Sequence, residues 1–188
     1  MEAPSPEQIS ARRLRKRRHE QLLRRYHKQR QRNRLARPGV HEFVLVLDHL
    51  KAGFNVPKIF RSAEAFGARE IHLIDIGPFD PAPAKGAFRK VPARFHDGFH
   101  TSHDELMAAG YTLFALTPGQ ESRSLQEIRF PRRSAFIFGH EELGLSFDPE
   151  EWPGIQPLQI PQFGGVESLN VSIAASIVMY EYVRQLHS

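Results

Sequence analysis

Three segments of this chain bring polar and glycine residues together at spacings that can do chemistry. In the first, Asp48 to Ala68, Asn55 is followed six residues later by Arg61 on what reads as a single helix, so both side chains can serve one site. A guanidinium holds its proton up to a pKa of about 12.5 to 13.8, which makes Arg61 a poor base but a good fixed positive charge beside a developing oxyanion. In the second, Phe136 to Ser146, Glu141 stands between Gly139 and Gly144. A carboxylate there can orient a cation or hold a hydroxyl, and glycines let backbone come close to a ligand. In the third, Ile160 to Tyr182, Ser168 and Asn170 lie at the start of an apolar helix, where backbone donors and small polar side chains face whatever lies beyond. Each residue also has a plainer reading. Arg61 can be a solvated helix residue, Glu141 an exposed acid or ion-pair partner, and Ser168 a helix cap.

What must position them is an α/β unit. Short apolar runs alternate with helical segments, the pattern of a largely parallel sheet flanked by helices. Strands are expected at Glu42 to Leu47, Glu70 to Asp75, Tyr111 to Leu116, Ala135 to Phe138 and Ile155 to Ile160. The chemical segments follow strands directly, at the edge where open α/β sheets bind ligands. Asn55-Val56-Pro57 can cap a helix running to Ala65, with Gly67 just past its end. Ser102 with Glu105 is a capping-box signal for a second helix ending near Gly110. A last helix is expected from about Ser168 towards His187. Its apolar side, with Leu169, Ile173, Ala174, Ile177, Met179 and Tyr180, would pack on the sheet or on another subunit.

Composition narrows the options. With 188 residues the chain fits one domain plus an appendage. It has no cysteine, which removes disulfides, thiolate metal sites and cysteine nucleophiles and is consistent with cytoplasm. Apolar stretches such as Phe43 to Leu47 fall far below the roughly 18 residues of a membrane span. His96, His100 and His103 have a tempting spacing, but a helix starting at Ser102, after His100, keeps the three from having to share a face, and no acidic or thiolate ligand completes the set, so no metal is expected.

The net charge of +5 is unevenly spread: residues 1–37 carry 13 Lys and Arg against 3 Asp and Glu, whereas residues 38–188 carry 13 against 18. The segment Pro6 to Arg34 favours helix but has few apolar residues, namely Ile9, Leu14, Leu22, Leu23 and Tyr26, and cannot build a core alone. Its clusters Arg12-Arg13, Arg15-Lys16-Arg17-Arg18 and Arg24-Arg25 suit RNA phosphates, with binding driven by counterion release. A solvated tail and an organellar transit peptide are the other readings, the latter opposed by three glutamates, little serine and no amphipathic face. The chain is accordingly divided into a basic, RNA-binding N-terminal arm and linker, helical or disordered, at 1–39, and a catalytic domain at 40–188.

Taken together and in order, the three segments resemble the three motifs of the SpoU/TrmH branch of the SPOUT RNA methyltransferases, a likeness that spans roughly residues 42–184. Motif one carries Asn55 and Arg61, motif two the Gly139-x-Glu141-x-x-Gly144 core, and motif three the run Ser168 to Ser172. The resemblance implies a C-terminal trefoil knot, a feature that general folding rules would reject, and a homodimer that completes the active site. It further implies S-adenosyl-L-methionine as cofactor and transfer of its methyl group to a ribose 2′-hydroxyl of structured RNA, tRNA ahead of rRNA. By the same carry-over Arg61, Asn55, Glu141, Ser168 and Asn170 are catalytic, and Thr117, Gly139, Ile160, Leu169 and Ser168 contact the cofactor. Two residues depart from the pattern: His49 and His140 stand where relatives often have Asn. A dimeric RNA-binding scaffold of weak activity and a base methyltransferase of the wider superfamily are the competing readings.

Overall fold

The computed structural model describes residues 6–117, 119 and 122–187, with side chains from Arg12 onward; Ile9 of the expected apolar set lies outside the described side chains. Seven strands form one sheet: β1 (Val44–Asp48), β2 (Glu70–Ile74), β3 (Ala93–His96), β4 (Thr112–Leu116), β5 (Arg123–Ser124), β6 (Ser134–Phe138) and β7 (Ile155–Gln159). Their order is β3-β2-β1-β6-β4-β7-β5, and every pairing is parallel. Among the described residues four α-helices accompany them: α1 (Pro6–Asn33), α2 (Asn55–Ala65), α3 (Phe99–Ala108) and α4 (Val171–Leu186).

An inner strand, β1, explains the layering. Every residue of β1 is buried, as expected for a parallel sheet covered on both faces. Because side chains alternate, Leu45 and Leu47 join one core with Val56, Ile59 and Phe60 of α2 and Ala175, Val178 and Tyr182 of α4. Val44 and Val46 join a second with Phe99 and Leu106 of α3, against which Phe147 and Trp152 pack.

Several expectations change. β3 and β5 are not legible in the sequence: β3 is half exposed, and β5 has only two residues. Ser102 does not cap α3, which starts three residues earlier behind Gly98. The Ser102 hydroxyl is buried and bonded to His72 Nδ1 at 2.7 Å, so it satisfies a polar side chain on the α3 face of β2 rather than a helix end. The last helix begins at Val171, and its cap is Asn170, whose Oδ1 accepts from Ser172 N at 3.0 Å. Of its expected apolar side, Ala174 and Met179 are buried, while Ile173 and Tyr180 are more than half exposed.

α1 is a helix of 28 residues, about 42 Å long at 1.5 Å per residue. Residues 12–20 are all exposed, yet Tyr26 is 1% exposed. Its ring packs on Phe79 and Phe88 of the β2–β3 connection, with centroids at 5.2 and 5.7 Å, and Phe88 in turn packs on Phe60 of α2 at 5.0 Å. Arg30 lies over the Phe95 ring of β3 at 4.0 Å. At the end of the helix the buried Asn33 amide donates to the carbonyls of Phe88 and Val91, and its oxygen accepts from Ala93 N at 3.0 Å. A segment that cannot form a core alone thus completes one with aromatic residues from later in the chain.

Replacing Asn33 by Ala leaves three backbone groups without their partner, two of them buried, and each buried orphan costs about 1 to 3 kcal/mol. Urea unfolding of Asn33→Ala is expected to show a loss of about 2 to 6 kcal/mol. An unchanged midpoint would mean that residues 88–93 hold their shape without the helix.

Candidate active site

The C-terminal ends of β4, β6 and β7 open into a cleft of about 440 Å³. Leu116 and Thr117 follow from β4, Phe138 and Gly139 from β6, and Leu158 and Ile160 from β7. Residues 139–141, 144–145 and 167–171 continue the lining. One part is apolar, with Leu116, Ile160 and Leu169, and another polar, with Glu141, Glu167, Ser168 and Asn170.

The loop after β6 is shaped from within. His140 and Gly144 exchange both backbone hydrogen bonds, at 2.7 and 2.9 Å. A Cβ on Gly139 would lie 2.5 Å from the Gly144 carbonyl and 2.8 Å from Leu145 N. The glycine is therefore required by the loop's own backbone, whereas sequence reasoning assigns it to ligand approach. Gly144 closes the turn at φ +74°, a conformation few L-residues adopt. Beyond the turn, Ser146 donates its backbone N–H to Asp48 Oδ2 at 2.6 Å and its hydroxyl to Oδ1 at 2.8 Å. Asp48 has no exposed surface, and these bonds tie the loop to the end of β1. Sequence reasoning misses this pair, although an aspartate ending a wholly apolar strand calls for a buried partner.

From the loop a line of hydrogen bonds crosses all three motifs. Glu141 accepts from Asn55 Nδ2, Asn55 Oδ1 accepts from Asn170 Nδ2 at 3.1 Å, and Asn170 Oδ1 accepts from the Ser172 N–H and hydroxyl at 3.0 and 2.6 Å. A carboxylate only accepts, so Glu141 sets the direction of the Asn55 amide, which sets that of Asn170, whose oxygen is then turned to cap α4. Asn55 does not cap α2 as expected; it is the first residue of that helix, and its side chain is used between loops. Further along, Ser62 of α2 and Ser176 of α4 bond at 2.9 Å.

The site residues expected from sequence divide into three groups. Thr117, Gly139, Ile160, Leu169, Ser168, Glu141 and Asn170 all line the cleft, and Asn55 touches two of them. Gln159, Gln162 and Glu167 also line it, and nothing in their sequence context marks them. Arg61 does not line it: it is exposed on α2, next to the Phe60 that anchors the aromatic cluster. Arg12, Arg13, Arg15, Lys16, Arg17, Arg18, Arg24 and Arg25 are exposed on α1, and Arg25 reaches Asp80 at 3.6 Å.

The three histidines considered for a metal are not gathered. His100 and His103 each face Asp104 at 3.2 Å, and His96 turns towards His72. His72, His96 and Glu105 do approach one another to within 4.8 Å. There Arg94 pairs with both Glu70 and Glu105 at 3.0 Å, supplying the group's positive charge. Burial pushes the Glu70 carboxyl up, but hydrogen bonds and charge from His72 and Arg94 outweigh it and leave it below the usual range.

Residues 42–180 match the model of the SpoU rRNA methylase family. The chain belongs to that family. A tRNA (guanosine(18)-2′-O)-methyltransferase of Thermus thermophilus is 29% identical over 151 residues, covering 77% of this chain and 75% of the relative. A 23S rRNA (guanosine-2′-O-)-methyltransferase RlmB of Coxiella burnetii is 32% identical over 147 residues, covering 76% of this chain but 58% of the relative. Among solved structures, the A. aeolicus TrmH/SpoU tRNA modifying enzyme superposes with a TM-score of 0.72 at 21% identity, over 85% of this chain and 83% of that one. An AdoMet-bound rRNA methyltransferase from Sinorhizobium meliloti gives 0.71 at 26%, over 83% and 61%. For this SpoU-family chain the parallel α/β fold and the three motifs therefore coincide.

Gly139→Ala forces backbone against backbone and is expected to lower the unfolding free energy by about 1 to 3 kcal/mol and to move the amide resonances of residues 140–146. Gly164→Ala, which meets nothing within 4 Å, is the control and should stay within about 0.5 kcal/mol. Equal stability of the two variants would contradict the packing argument.

Proposed function

We propose that this chain transfers a methyl group from S-adenosyl-L-methionine to a ribose 2′-hydroxyl of a structured RNA, with tRNA ahead of rRNA. The observation that carries the reading is the hydrogen-bonded line Glu141–Asn55–Asn170, which joins the three family motifs at the rim of one cleft. The names of the Thermus and Coxiella relatives support ribose as the target and leave tRNA and rRNA both represented.

The cleft suits the cofactor. Leu116, Ile160 and Leu169 offer an apolar surface for an adenine ring, while Thr117, Gly139 and Ser168 offer polar and backbone groups. Bound there, S-adenosylmethionine supplies an electrophilic methyl carbon on a positively charged sulfur. The chain's own residues do the rest. Arg61 stabilises the developing alkoxide as a fixed charge, since a guanidinium holds its proton too firmly to act as a base; the hydroxyl proton passes to water, and the cofactor, its methyl group transferred, would depart as the neutral thioether S-adenosylhomocysteine. Glu141, through Asn55, sets the direction of the Asn170 amide, and Ser168 holds the ribose or cofactor beside it. Proximity of the two reactants supplies much of the acceleration.

Arg61 lies outside the cleft of its own chain, and this supports a homodimer in which a second copy brings the arginine to the site. Around α2 and α4 the side chains of Phe54, Ile173 and Tyr180 are exposed, at 72%, 53% and 58%, apolar surface of the kind that marks an interaction site. The C-terminal trefoil knot belongs to the same reading. It is supported by a strand order that sets β4 between β6 and β7, with α4 returning to pack beside β6. Residues 1–39 act as an RNA-binding arm and 40–188 as the methyltransferase domain, without a metal and in the cytoplasm. Among the described residues no helix is long and apolar enough to cross a membrane.

The test is methyl transfer from isotopically labelled S-adenosylmethionine into unmodified tRNA and rRNA pools, followed by nucleoside analysis. A 2′-O-methylated nucleoside is expected. A base-methylated product would point to the wider superfamily's base chemistry, and failure to bind the cofactor at all would favour a scaffold.

Arg61→Ala is expected to lower turnover by about 10² to 10³-fold, as for loss of an oxyanion donor, with cofactor affinity measured by calorimetry almost unchanged. Near-normal turnover would remove Arg61 from its assigned role. Deletion of residues 1–22 spares Tyr26 and Asn33 and should weaken RNA binding. For every phosphate that the arm no longer neutralises, the salt slope should fall by about 0.7 to 0.9. An unaltered slope in filter-binding titrations would return the arm to a solvated helix.

A further inference from the structure

The two histidines that depart from the family pattern lie against each other. The rings of His49 and His140 are stacked, with centroids 5.4 Å apart and an interplanar angle of 20°. His140 Nδ1 accepts two hydrogen bonds, from the backbone N–H of Glu142 at 3.0 Å and of Leu143 at 3.2 Å. An imidazole nitrogen that accepts carries a lone pair, so these bonds require His140 with Nδ1 unprotonated. His49 covers the other ring at the end of β1. It adopts φ +40°, its N–H donates to the Ile74 carbonyl at 2.9 Å, and its Nδ1 lies 3.3 Å from Asp48 Oδ2.

The turn held by His140 is the one that carries Glu141, the first member of the hydrogen-bonded line to Asn55 and Asn170. The charged and titratable groups around it are His49 and Asp48 from β1, Lys51 paired with Glu142 at 2.7 Å, Glu141 itself, and Glu167 lining the same cleft. Lys51 and Glu142 pair with each other, Glu141 accepts from Asn55, Asp48 accepts from Ser146, and it is His140 Nδ1 that receives both amides of the turn. A proton on Nδ1 would set three N–H groups against one another, and both bonds would be lost.

We propose that neutral His140 is a positioning residue for methyl transfer: its Nδ1 holds the turn of residues 140–144 that aims Glu141 at Asn55, and taking up a proton at that nitrogen releases the turn. Activity requires an Nδ1 free to accept both amides and is lost when that nitrogen carries a proton. An asparagine at this position offers Oδ1 from the same branch of the side chain as Nδ1 and does not titrate, so it keeps the acceptor and loses the pH response. Glutamine carries its acceptor one bond further out and lacks both. The activity half of the proposal rests on the methyltransferase reading, and the geometric half does not.

The experiment uses the full-length chain, labelled with ¹⁵N, as wild type, His140→Asn and His140→Gln. Amide resonances of Glu142 and Leu143 are followed between about pH 5 and 8, the range of histidine titration, alongside methyl transfer at saturating S-adenosylmethionine and RNA. In wild type the two amides should move together with the His140 ring, and turnover should fall on the acid side. In His140→Asn the amides should stay still and the acid-side loss should disappear, with turnover at about pH 8 close to wild type. His140→Gln should lose about tenfold in turnover at every pH, the equivalent of one to two hydrogen bonds. Amides that ignore the His140 titration overturn the proposal whatever the activity. So does an acid-side loss that persists in His140→Asn. A wild type that transfers no methyl group at any pH while its amides track the ring would instead overturn the methyltransferase reading.

Discussion

Asp48 sits at the end of a strand buried on both faces, and both its carboxylate oxygens accept from Ser146. A polar group buried so completely is tolerated only when it is hydrogen-bonded, because an unpaired one raises the energy of the fold by several kcal/mol. The loop after β6 must therefore return to β1 at Ser146, and the loop is held at both ends, by Gly139 directly after β6 and by Ser146 on Asp48. Within that span the close approach of Gly139 to Gly144 leaves room for one backbone path. Glu141 projects from that path, and the order of donors and acceptors through Asn55 and Asn170 to the start of α4 follows from it.

The same dependence runs outward. Phe60, on the helix that carries Asn55 and Arg61, packs on Phe88, and Phe88 packs on Tyr26. The first helix, the β2–β3 connection and the helix of the first motif share one aromatic cluster, while Asn33 locks the backbone on either side of Val91. Aromatic side chains suit this role because each buries a large area with few rotatable bonds.

How far the sequence foretells this depends on how local each signal is. Five strands and the span of α2 are legible because their apolar periods are carried by consecutive residues. β3 is not, since on this outer strand Arg94 is exposed and its other three residues are only half-buried, so no apolar face is marked. Ser102 misleads because its capping signal is local, whereas its partner, His72, lies thirty residues away in sequence. Asn55 misleads for the same reason: its position signals a cap, and two distant loops take its side chain. The motif residues are legible through family likeness, and all but Arg61 gather around one cleft. Tyr26 as a core residue is not legible, because the aromatic partners that bury it come from more than fifty residues later.

The fastening of α1 at Tyr26 and Asn33 makes the helix a screw as well as a lever. Each residue of an α-helix turns its neighbours by about 100° and advances them by about 1.5 Å. Between the anchored ring of Tyr26 and the cluster at Arg15 to Arg18, the direction in which the positive charges face is thus set by a count of residues. A single insertion there would leave composition, net charge and helix propensity nearly untouched and yet swing the whole basic face by more than a quarter turn. In this part of the molecule, sequence length carries information that charge alone does not.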